Sequence, residues 1–267
     1  MFGGNEYWWA GLLVFVLFVS LNVAVRALRN KPELSYAIAW CISAFLLVYK
    51  IGEYTYFQAI GEHMRFPVEF SAVSYFILGI FITFRIKKAD QFALFTAVLA
   101  GCIYSMSFWI SPDGHINQRE SIYLLVMAAV NHHMMYFAGM LMLANVRSYS
   151  PKSCWQQIIG VGVLVGYSWI IHSTTDFSAI WGKPIIIQVT DGSIISQIYD
   201  GAIEPWMLAI YFFAAACLFV ALLAGFYFLN GKLANRRKML QLPKDYFPAK
   251  FKDTFRLERT EIVYERN

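Results

Sequence analysis

Three consecutive polar residues, Asn131, His132 and His133, interrupt a long apolar stretch in the middle of the chain. Polar side chains inside a membrane-like stretch are costly, so they mark a functional site by default. An imidazole can serve as a general base and an amide can bind polar groups, which makes the three residues candidates for proton transfer and substrate binding. Adjacent residues of a helix point about 100° apart, so the two histidines are poor ligands for one metal ion.

Lys50 and Glu53 form a second candidate pair, because a spacing of three residues places them on one face of a helix. One interpretation is an ion pair whose partners neutralise each other, with Lys50 extending toward the membrane surface. The other is a polar cavity that one of the two side chains lines, held there by its partner. The sequence leaves both interpretations open.

Glu69 and Ser71 follow Pro67, a residue that fits the first turn of a helix. Their structural interpretation is a carboxylate that complements a helix N-terminus and a hydroxyl bonded to a carbonyl one turn back. Their functional interpretation is a carboxylate that orients an imidazole and a serine that acts as a nucleophile. Three further residues near the outer end of the sixth apolar segment complete the predicted substrate-binding set: His172, Asp176 and Lys183.

The composition predicts that these residues are positioned by membrane helices. Of the 267 residues, 58% are hydrophobic and only 15% are charged, and the mean hydropathy is +0.50. A soluble domain would need more charge to cover its surface. Since a spanning helix takes about 20 apolar residues, we predict an all-α polytopic membrane protein with seven transmembrane helices. The predicted segments are 7–25, 34–57, 68–84, 89–110, 121–145, 155–172 and 205–229.

The basic residues predict the orientation of these helices. Lysines and arginines follow the first, third and fifth segments, and ten more lie after Asn230, whereas the opposite loops hold only Arg65, Arg119 and Lys183. Because basic residues prefer the cytoplasmic side, we expect the N-terminus outside and the C-terminus in the cytoplasm. The first segment has its basic residues after it, so we interpret it as a retained helix rather than a cleaved signal peptide.

The chain divides by composition into a transmembrane domain, residues 1–229, and a basic cytoplasmic tail, residues 230–267. The tail has ten basic and five acidic residues with aromatic residues between them. This pattern favours contact with the anionic inner leaflet of the cell inner membrane, so membrane lipids are the predicted partners and nucleic acid is not. The four cysteines are isolated and no phosphate-binding glycine loop is present, so no cofactor is predicted.

Two loops on the predicted outer side differ in character. Residues 111–117 are dense in turn formers and predict a surface turn. Residues 173–204 form the longest connection and contain an apolar run at 184–189. A long apolar loop suggests a lid or an interfacial segment over an outward-facing cavity, and the alternative is a stretch buried only for packing.

Two short stretches carry a resemblance to a known family. Residues 66–71 read Phe-Pro-Val-Glu-Phe-Ser, and Asp176 to Pro184 is followed by Glu204-Pro205-Trp206. They are similar to the Leu-Pro-Leu-His-Leu-Cys stretch and the Asn-Tyr, Lys-Pro and Pro-Trp-Tyr region of the YwaF family of bacterial integral membrane proteins. The chain thus resembles that family, which is related to eukaryotic membrane acyltransferases.

The resemblance implies seven helices and a site that moves acyl chains between phospholipids. In such a site a cysteine is the nucleophile, and the histidine of the fifth helix corresponds here to His132 or His133. This chain has Ser71 in place of the cysteine, Glu69 in place of a histidine and Asp176 in place of an asparagine. A serine can replace the cysteine in acyl transfer only when a nearby base activates it.

Three functions follow as hypotheses. The first is an enzyme acting on lipid acyl groups, a transferase or a hydrolase, with Ser71 as nucleophile, His132 or His133 as base, and Glu69 or Asp176 orienting the imidazole. The second is a non-catalytic binding or transport protein whose polar residues line an outward-facing pocket for a small polar solute or a lipid headgroup. The third, metal-dependent hydrolysis, is disfavoured because the last helix has no histidine.

Overall fold

The computed structural model describes residues 6–62, 66–86, 90–117, 122–146, 148–197 and 199–234, and all regular secondary structure within these ranges is helical. Short π or 3-10 turns lie at Met142–Val146, Pro151–Ser153 and Ser193–Gln197. The helices are α1 (Trp8–Ala27), α2 (Pro32–Ala59), α3 (Phe70–Thr83), α4 (Asp90–Ile110), α5 (Pro112–Asn117), α6 (Ile122–Leu141), α7 (Trp155–Thr174), α8 (Phe177–Trp181), α9 (Ile185–Asp191) and α10 (Pro205–Ala234).

Six of these helices are long and apolar enough to cross a membrane: α1, α2, α4, α6 with its π turn, α7 with the preceding 3-10 turn, and α10. The third predicted segment gives a shorter apolar helix, α3, with 14 residues. It is shorter than expected because residues 66–68 are not helical and Glu69 caps the helix in an extended conformation. At the other end the helix stops at Phe84, and Arg85 adopts a positive φ of 59°.

The centre of the bundle is formed by α4 and α6, which pack closely along their length, with α2 and α3 beside them. Gly101 of α4 permits this approach, because a Cβ atom there would lie 2.4 Å from the Cβ of Tyr136 and 3.1 Å from the carbonyl oxygen of His132. Small residues let helices approach in lipid, where burial of apolar surface does not drive association. Many apolar side chains of α1 and α10 face outward instead, as expected of lipid-facing helices.

Two asparagines join the helices at one end of the bundle, which we call the basic end because Arg26, Arg29 and Arg85 lie there. Asn145 donates its amide to the carbonyl of Val25 at 3.0 Å and to the hydroxyl of Ser35 at 3.2 Å. Asn230 donates to the carbonyl of Leu143 at 2.7 Å and accepts from the backbone N–H of Tyr149 at 2.8 Å. These hydrogen bonds cross-link α1, α2, the π turn and α10, and both asparagines are fully buried.

Asn230 therefore belongs to the helical bundle, and α10 continues to Ala234, beyond the predicted start of the tail. The other tail residues, 235–267, lie outside the described residues.

The opposite end of the bundle carries the short helices α5, α8 and α9. Residues 112–117, predicted as part of a surface turn, instead form α5, and Asp113 accepts a hydrogen bond from the backbone N–H of Tyr7 at 3.1 Å. Proline at the first position and an acidic residue in the first turn both favour a helix start, which explains this difference. α5 thereby rests on the start of α1 and the end of α4.

Candidate functional site

His132 lies between two tyrosine rings in the centre of the bundle. Its ring stacks on Tyr104 of α4 with 3.9 Å between centroids and an angle of 9°, and it meets the edge of Tyr75 of α3 at 5.4 Å. Its Nδ1 atom lies 2.7 Å from the carbonyl oxygen of Ala128, one turn earlier in α6. In the neutral ring Nδ1 therefore carries the proton, and the acceptor lone pair is on Nε2.

His133 points to a different neighbour, as expected for adjacent helical residues. Its Nδ1 atom bonds to the carbonyl oxygen of Ala129 at 2.7 Å, and its Nε2 atom lies 3.4 Å from the hydroxyl of Ser105 on α4. The Ser105 hydroxyl is also 2.8 Å from the carbonyl oxygen of Gly101. The serine that contacts this imidazole is therefore Ser105, which is 2% exposed and packed inside the bundle.

A third histidine joins the same group and was not predicted from the sequence. His115 of α5 stacks on Phe108 at 5.0 Å, meets the edge of Tyr104 at 5.4 Å, and places Nε2 3.0 Å from the hydroxyl of Ser107. Tyr104 thus contacts three histidine rings, since His133 also meets its edge at 6.2 Å. We call Tyr104 and the four tyrosine or histidine residues whose rings contact it or His132 the Tyr104 cluster: Tyr75, Tyr104, His115, His132 and His133.

Within the described residues, no group of three or more histidine, cysteine, aspartate or glutamate side chains has a geometry that could hold a metal ion. The histidines of the Tyr104 cluster surround an aromatic ring, and two of them bond through Nδ1 to carbonyls of their own helix.

Asn131, the first residue of the polar triplet, is 1% exposed, and in the described part of the chain its side-chain oxygen has no hydrogen-bond partner. A buried polar atom of this kind is uncommon and costs free energy. Its neighbour one turn later is Met135, which is fully buried.

Lys50 and Glu53 form the ion pair that their spacing suggests, with 2.5 Å between Nζ and Oε2 and side chains that are 12% and 17% exposed. The hydroxyl of Tyr49 is 3.4 Å from Glu53. The ammonium group also lies 4.7 Å from the centroid of the Tyr75 ring. Tyr75 therefore connects the ion pair to the Tyr104 cluster through a cation–π contact.

Glu69 and Ser71 lie at the start of α3, toward the opposite end of the bundle. Glu69 is the N-cap of α3, and its Oε1 accepts a hydrogen bond from the backbone N–H of Ile185, the first residue of α9, at 3.4 Å. Ser71 is half-buried and four residues before Tyr75. Residues four apart share a helical face, so Ser71 lies one turn from the Tyr104 cluster.

The other three predicted residues lie in the segment from the end of α7 to the 3-10 turn after α9. His172 places Nδ1 2.5 Å from the hydroxyl of Ser178, and Asp176 is exposed before α8. Lys183 forms an ion pair with Asp191 and lies 3.1 Å from the hydroxyl of Ser193. Among the described residues, these three have their contacts within this segment and not with the histidines of α6. Of the other predicted site residues, Glu69 reaches the segment through its hydrogen bond to α9.

The Lys183–Asp191 ion pair gives a prediction about acid. Burial favours the neutral acid, but hydrogen bonds from Lys183 and Ser193 outweigh it and hold the pKa of Asp191 below its usual value of 3.8. Because the folded-state pKa is the lower one, the pair stabilises the segment above about pH 4 and loses this contribution as pH falls through the folded-state pKa. The hydrogen-exchange protection factors of residues 185–197, which correct for the pH dependence of intrinsic exchange, should therefore fall in acid.

The control for this prediction is Asp191→Asn, which should exchange faster at neutral pH and lose the acid-dependent change. Asp200→Asn alters an exposed aspartate of the same connection and should retain the wild-type profile. An Asp191→Asn protein with the wild-type profile from neutral pH to pH 3 would show that the pair does not hold the segment.

A groove of about 550 Å³ lies between α3 and α7, with Phe92 of α4 beneath it. Gly160 of α7 packs on Phe92, because a Cβ atom there would lie 2.6 Å from three of the ring carbons. None of the ten predicted site residues lines the groove. Its lining is formed by Pro67, Val73, Phe76, Ile77, Phe81, Phe92, Trp155, Gln156, Ile159, Gly160, Val163, Leu164 and Tyr167.

The groove could not be predicted from the sequence, because it depends on which helices are neighbours. Ser168 of α7 donates a hydrogen bond to the carbonyl of Val68 at 3.2 Å and so holds α7 beside the start of α3. Two of the lining residues carry an amide or a hydroxyl group. The amide of Gln156 lies at the basic end, and the hydroxyl of Tyr167 lies toward the opposite end.

The chain matches no family model, no curated protein and no solved structure.

Proposed function

We propose that the chain is a seven-span protein of the cell inner membrane, with its N-terminus outside and its C-terminus in the cytoplasm, that acts on the acyl groups of membrane phospholipids. Six helices of spanning length support the membrane assignment. The proposed seventh span is α3, which at about 21 Å is short for a hydrocarbon core of about 30 Å. The non-helical residues 66–69 precede α3 on this crossing.

The observation that carries the proposal is the apolar groove along α3 and α7. A groove lined by aliphatic and aromatic side chains, open between membrane helices, suits an acyl chain and offers little to a polar solute. The same helix α3 carries Glu69 and Ser71 at its start and Tyr75 one turn further on. A lipid in the groove would therefore lie along the helix that bears the proposed nucleophile.

In the proposed reaction, the Ser71 hydroxyl oxygen attacks the ester carbonyl carbon of a phospholipid while its proton passes to Nε2 of His132. The bond from that carbon to the glycerol oxygen breaks, and this oxygen takes the proton as the lysophospholipid leaves. A hydroxyl group of a second lipid then attacks the acyl-serine, and its proton returns through the imidazole to the Ser71 oxygen. The hydrogen bond of Nδ1 to Ala128 supports this role, because it leaves Nε2 as the basic atom.

A second candidate function is the binding of a small polar solute or a lipid headgroup. It is favoured by the Lys50–Glu53 ion pair, which contacts Tyr75 and through it the Tyr104 cluster. A mostly buried ion pair of this kind is uncommon in a membrane helix unless it serves a polar site.

The test is transfer of an isotope-labelled acyl chain from phosphatidylglycerol to a lysophospholipid in liposomes that contain the purified protein. Ser71→Ala should reduce transfer to the rate of liposomes without protein. His132→Ala should lower it by about 10²–10⁴-fold, the usual contribution of a general base.

Ser74→Ala is the matched control, because Ser74 lies on the same helix and its hydroxyl bonds to the carbonyl of Phe70 at 2.6 Å. It should transfer acyl chains at the wild-type rate. Wild-type transfer by Ser71→Ala would overturn the assignment of the nucleophile. No transfer by the wild type, together with saturable uptake of a polar solute into the liposomes, would favour the second candidate.

A further inference from the structure

The groove between α3 and α7 is lined mostly by apolar side chains, but the side-chain amide of Gln156 lies at its basic end. The side-chain oxygen of Gln156 is inaccessible to solvent and has no hydrogen-bond partner among the described residues. A buried polar atom without a partner costs free energy, so a site that contains one is expected to receive a polar ligand group there. Rotation of the amide presents either the oxygen acceptor or the N–H donors to that ligand.

Two neighbours of Gln156 indicate the depth at which this polar group lies. Trp155 is 55% exposed at the start of α7, and tryptophan rings favour the boundary between lipid headgroups and hydrocarbon. Lys152, one turn before Gln156, is exposed and adds a positive charge at the same end. The basic end of the groove therefore combines an interfacial ring, a hydrogen-bonding amide and a cation.

The length of the groove suits one lipid chain. Along α7 it runs from Gln156 to Tyr167, which is about 17 Å at a rise of 1.5 Å per residue. The hydrocarbon core of a bilayer is about 30 Å thick, so one leaflet contributes about half of that thickness. An acyl chain that starts at Gln156 can therefore lie within the groove along its full extent.

We propose that the groove binds an anionic glycerophospholipid from the leaflet at the basic end. One acyl chain lies between α3 and α7, the rotated Gln156 amide donates an N–H to an ester carbonyl oxygen of the lipid, and the phosphate faces Lys152. This inference rests on the proposed function only in taking the groove as a lipid site. The ester of this lipid lies at the end of the groove opposite Ser71, so it is a lipid other than the one that Ser71 attacks. The inference adds its orientation, its leaflet and the sign of its headgroup.

The experiment is native mass spectrometry of the full chain released from nanodiscs that contain equal amounts of phosphatidylglycerol and phosphatidylcholine. We expect the wild type to retain one lipid, with phosphatidylglycerol preferred. Val163→Trp fills the groove and should lower retention of both lipids. Its matched control is Ile170→Trp, on the same helix and similarly exposed but outside the groove, which should retain lipid as the wild type does.

Two further variants test the orientation. Gln156→Leu keeps the size of the side chain and removes its hydrogen bonds, so it should lower retention by about threefold to tenfold, the effect of one hydrogen bond. Lys152→Gln should leave retention of phosphatidylcholine unchanged and reduce the preference for phosphatidylglycerol.

The outcomes separate the two proposals. Undiminished retention by Val163→Trp would overturn both the lipid site and the function that depends on it. Loss of lipid in Val163→Trp, with wild-type behaviour of both Gln156→Leu and Lys152→Gln, would overturn the orientation and leave the groove as an acyl-chain site.

Discussion

Replacing Gly101 by alanine is expected to destabilise the protein, although alanine is the better helix former by about 1 kcal/mol. The added Cβ atom would lie 2.4 Å from the Cβ of Tyr136, a contact that side-chain rotation cannot relieve because both atoms are fixed to the backbone. The two helices must separate, and overpacking of this kind costs about 1–3 kcal/mol. The larger Gly101→Leu should cost more and prevent accumulation of folded protein.

The measurement is thermal unfolding in detergent, followed by the fraction of protein that remains monodisperse after heating. Gly162→Ala is the control, because a Cβ atom at that position of α7 has no atom within 4 Å. It should leave the midpoint unchanged or raise it slightly. A Gly101→Ala protein as stable as the wild type would mean that α4 and α6 do not approach as closely as described.

Breaking the Lys50–Glu53 ion pair is expected to have the second large effect. The side chains are 12% and 17% exposed, so Glu53→Leu leaves a mostly buried ammonium group beside the Tyr75 ring without its carboxylate. Removing one partner of a buried pair typically costs about 3–5 kcal/mol, whereas replacing both by apolar residues is often neutral. The double variant Lys50→Met with Glu53→Leu should therefore be more stable than Glu53→Leu alone.

A double-mutant cycle measured by thermal unfolding gives the coupling energy of the pair. Equal stability of the single and double variants would show that Lys50 reaches water or headgroups once its partner is gone. That result would favour the interpretation of Lys50 as an extended interfacial side chain, and a large coupling energy would favour a polar site held by the pair.

The sequence predicts helix positions well where periodicity and composition act locally. The spacing of Lys50 and Glu53 is enough to predict that they share a face, since it depends on one helix only. The same reasoning predicts that His132 and His133 diverge, and in the structure the ring of His132 stacks on Tyr104 whereas Nε2 of His133 lies beside Ser105. Neither observation needs knowledge of which helices are neighbours.

The site itself depends on long-range contacts that no local pattern contains. His115 is 11 residues after Tyr104 and 17 before His132 in the sequence, and it reaches the cluster only because α5 folds back onto α4. Residues 111–117 are rich in turn formers, so their composition favours a surface turn over a helix. Pro112 followed by Asp113 is nevertheless a helix start signal. The family resemblance pairs Ser71 with the histidines, and this pairing stays a prediction. The hydroxyl beside Nε2 of His133 is that of Ser105, which no local pattern indicates.

The polar links at the basic end have a mechanical consequence for the bundle. In addition to Asn145 and Asn230, Gln91 of α4 donates to the carbonyl of Ser153 at 2.5 Å, and Tyr227 of α10 donates to Gln157 of α7 at 3.0 Å. These buried cross-links make the basic end a common pivot for α4, α7 and α10. Toward the opposite end, Ser168 of α7 bonds to Val68 before α3, and Glu69 bonds to the start of α9. A tilt of α7 away from α3 about that pivot would widen the groove progressively with distance from Gln156. For the proposed lipid site, such a tilt would let an acyl chain enter sideways while its polar end stays at a fixed point.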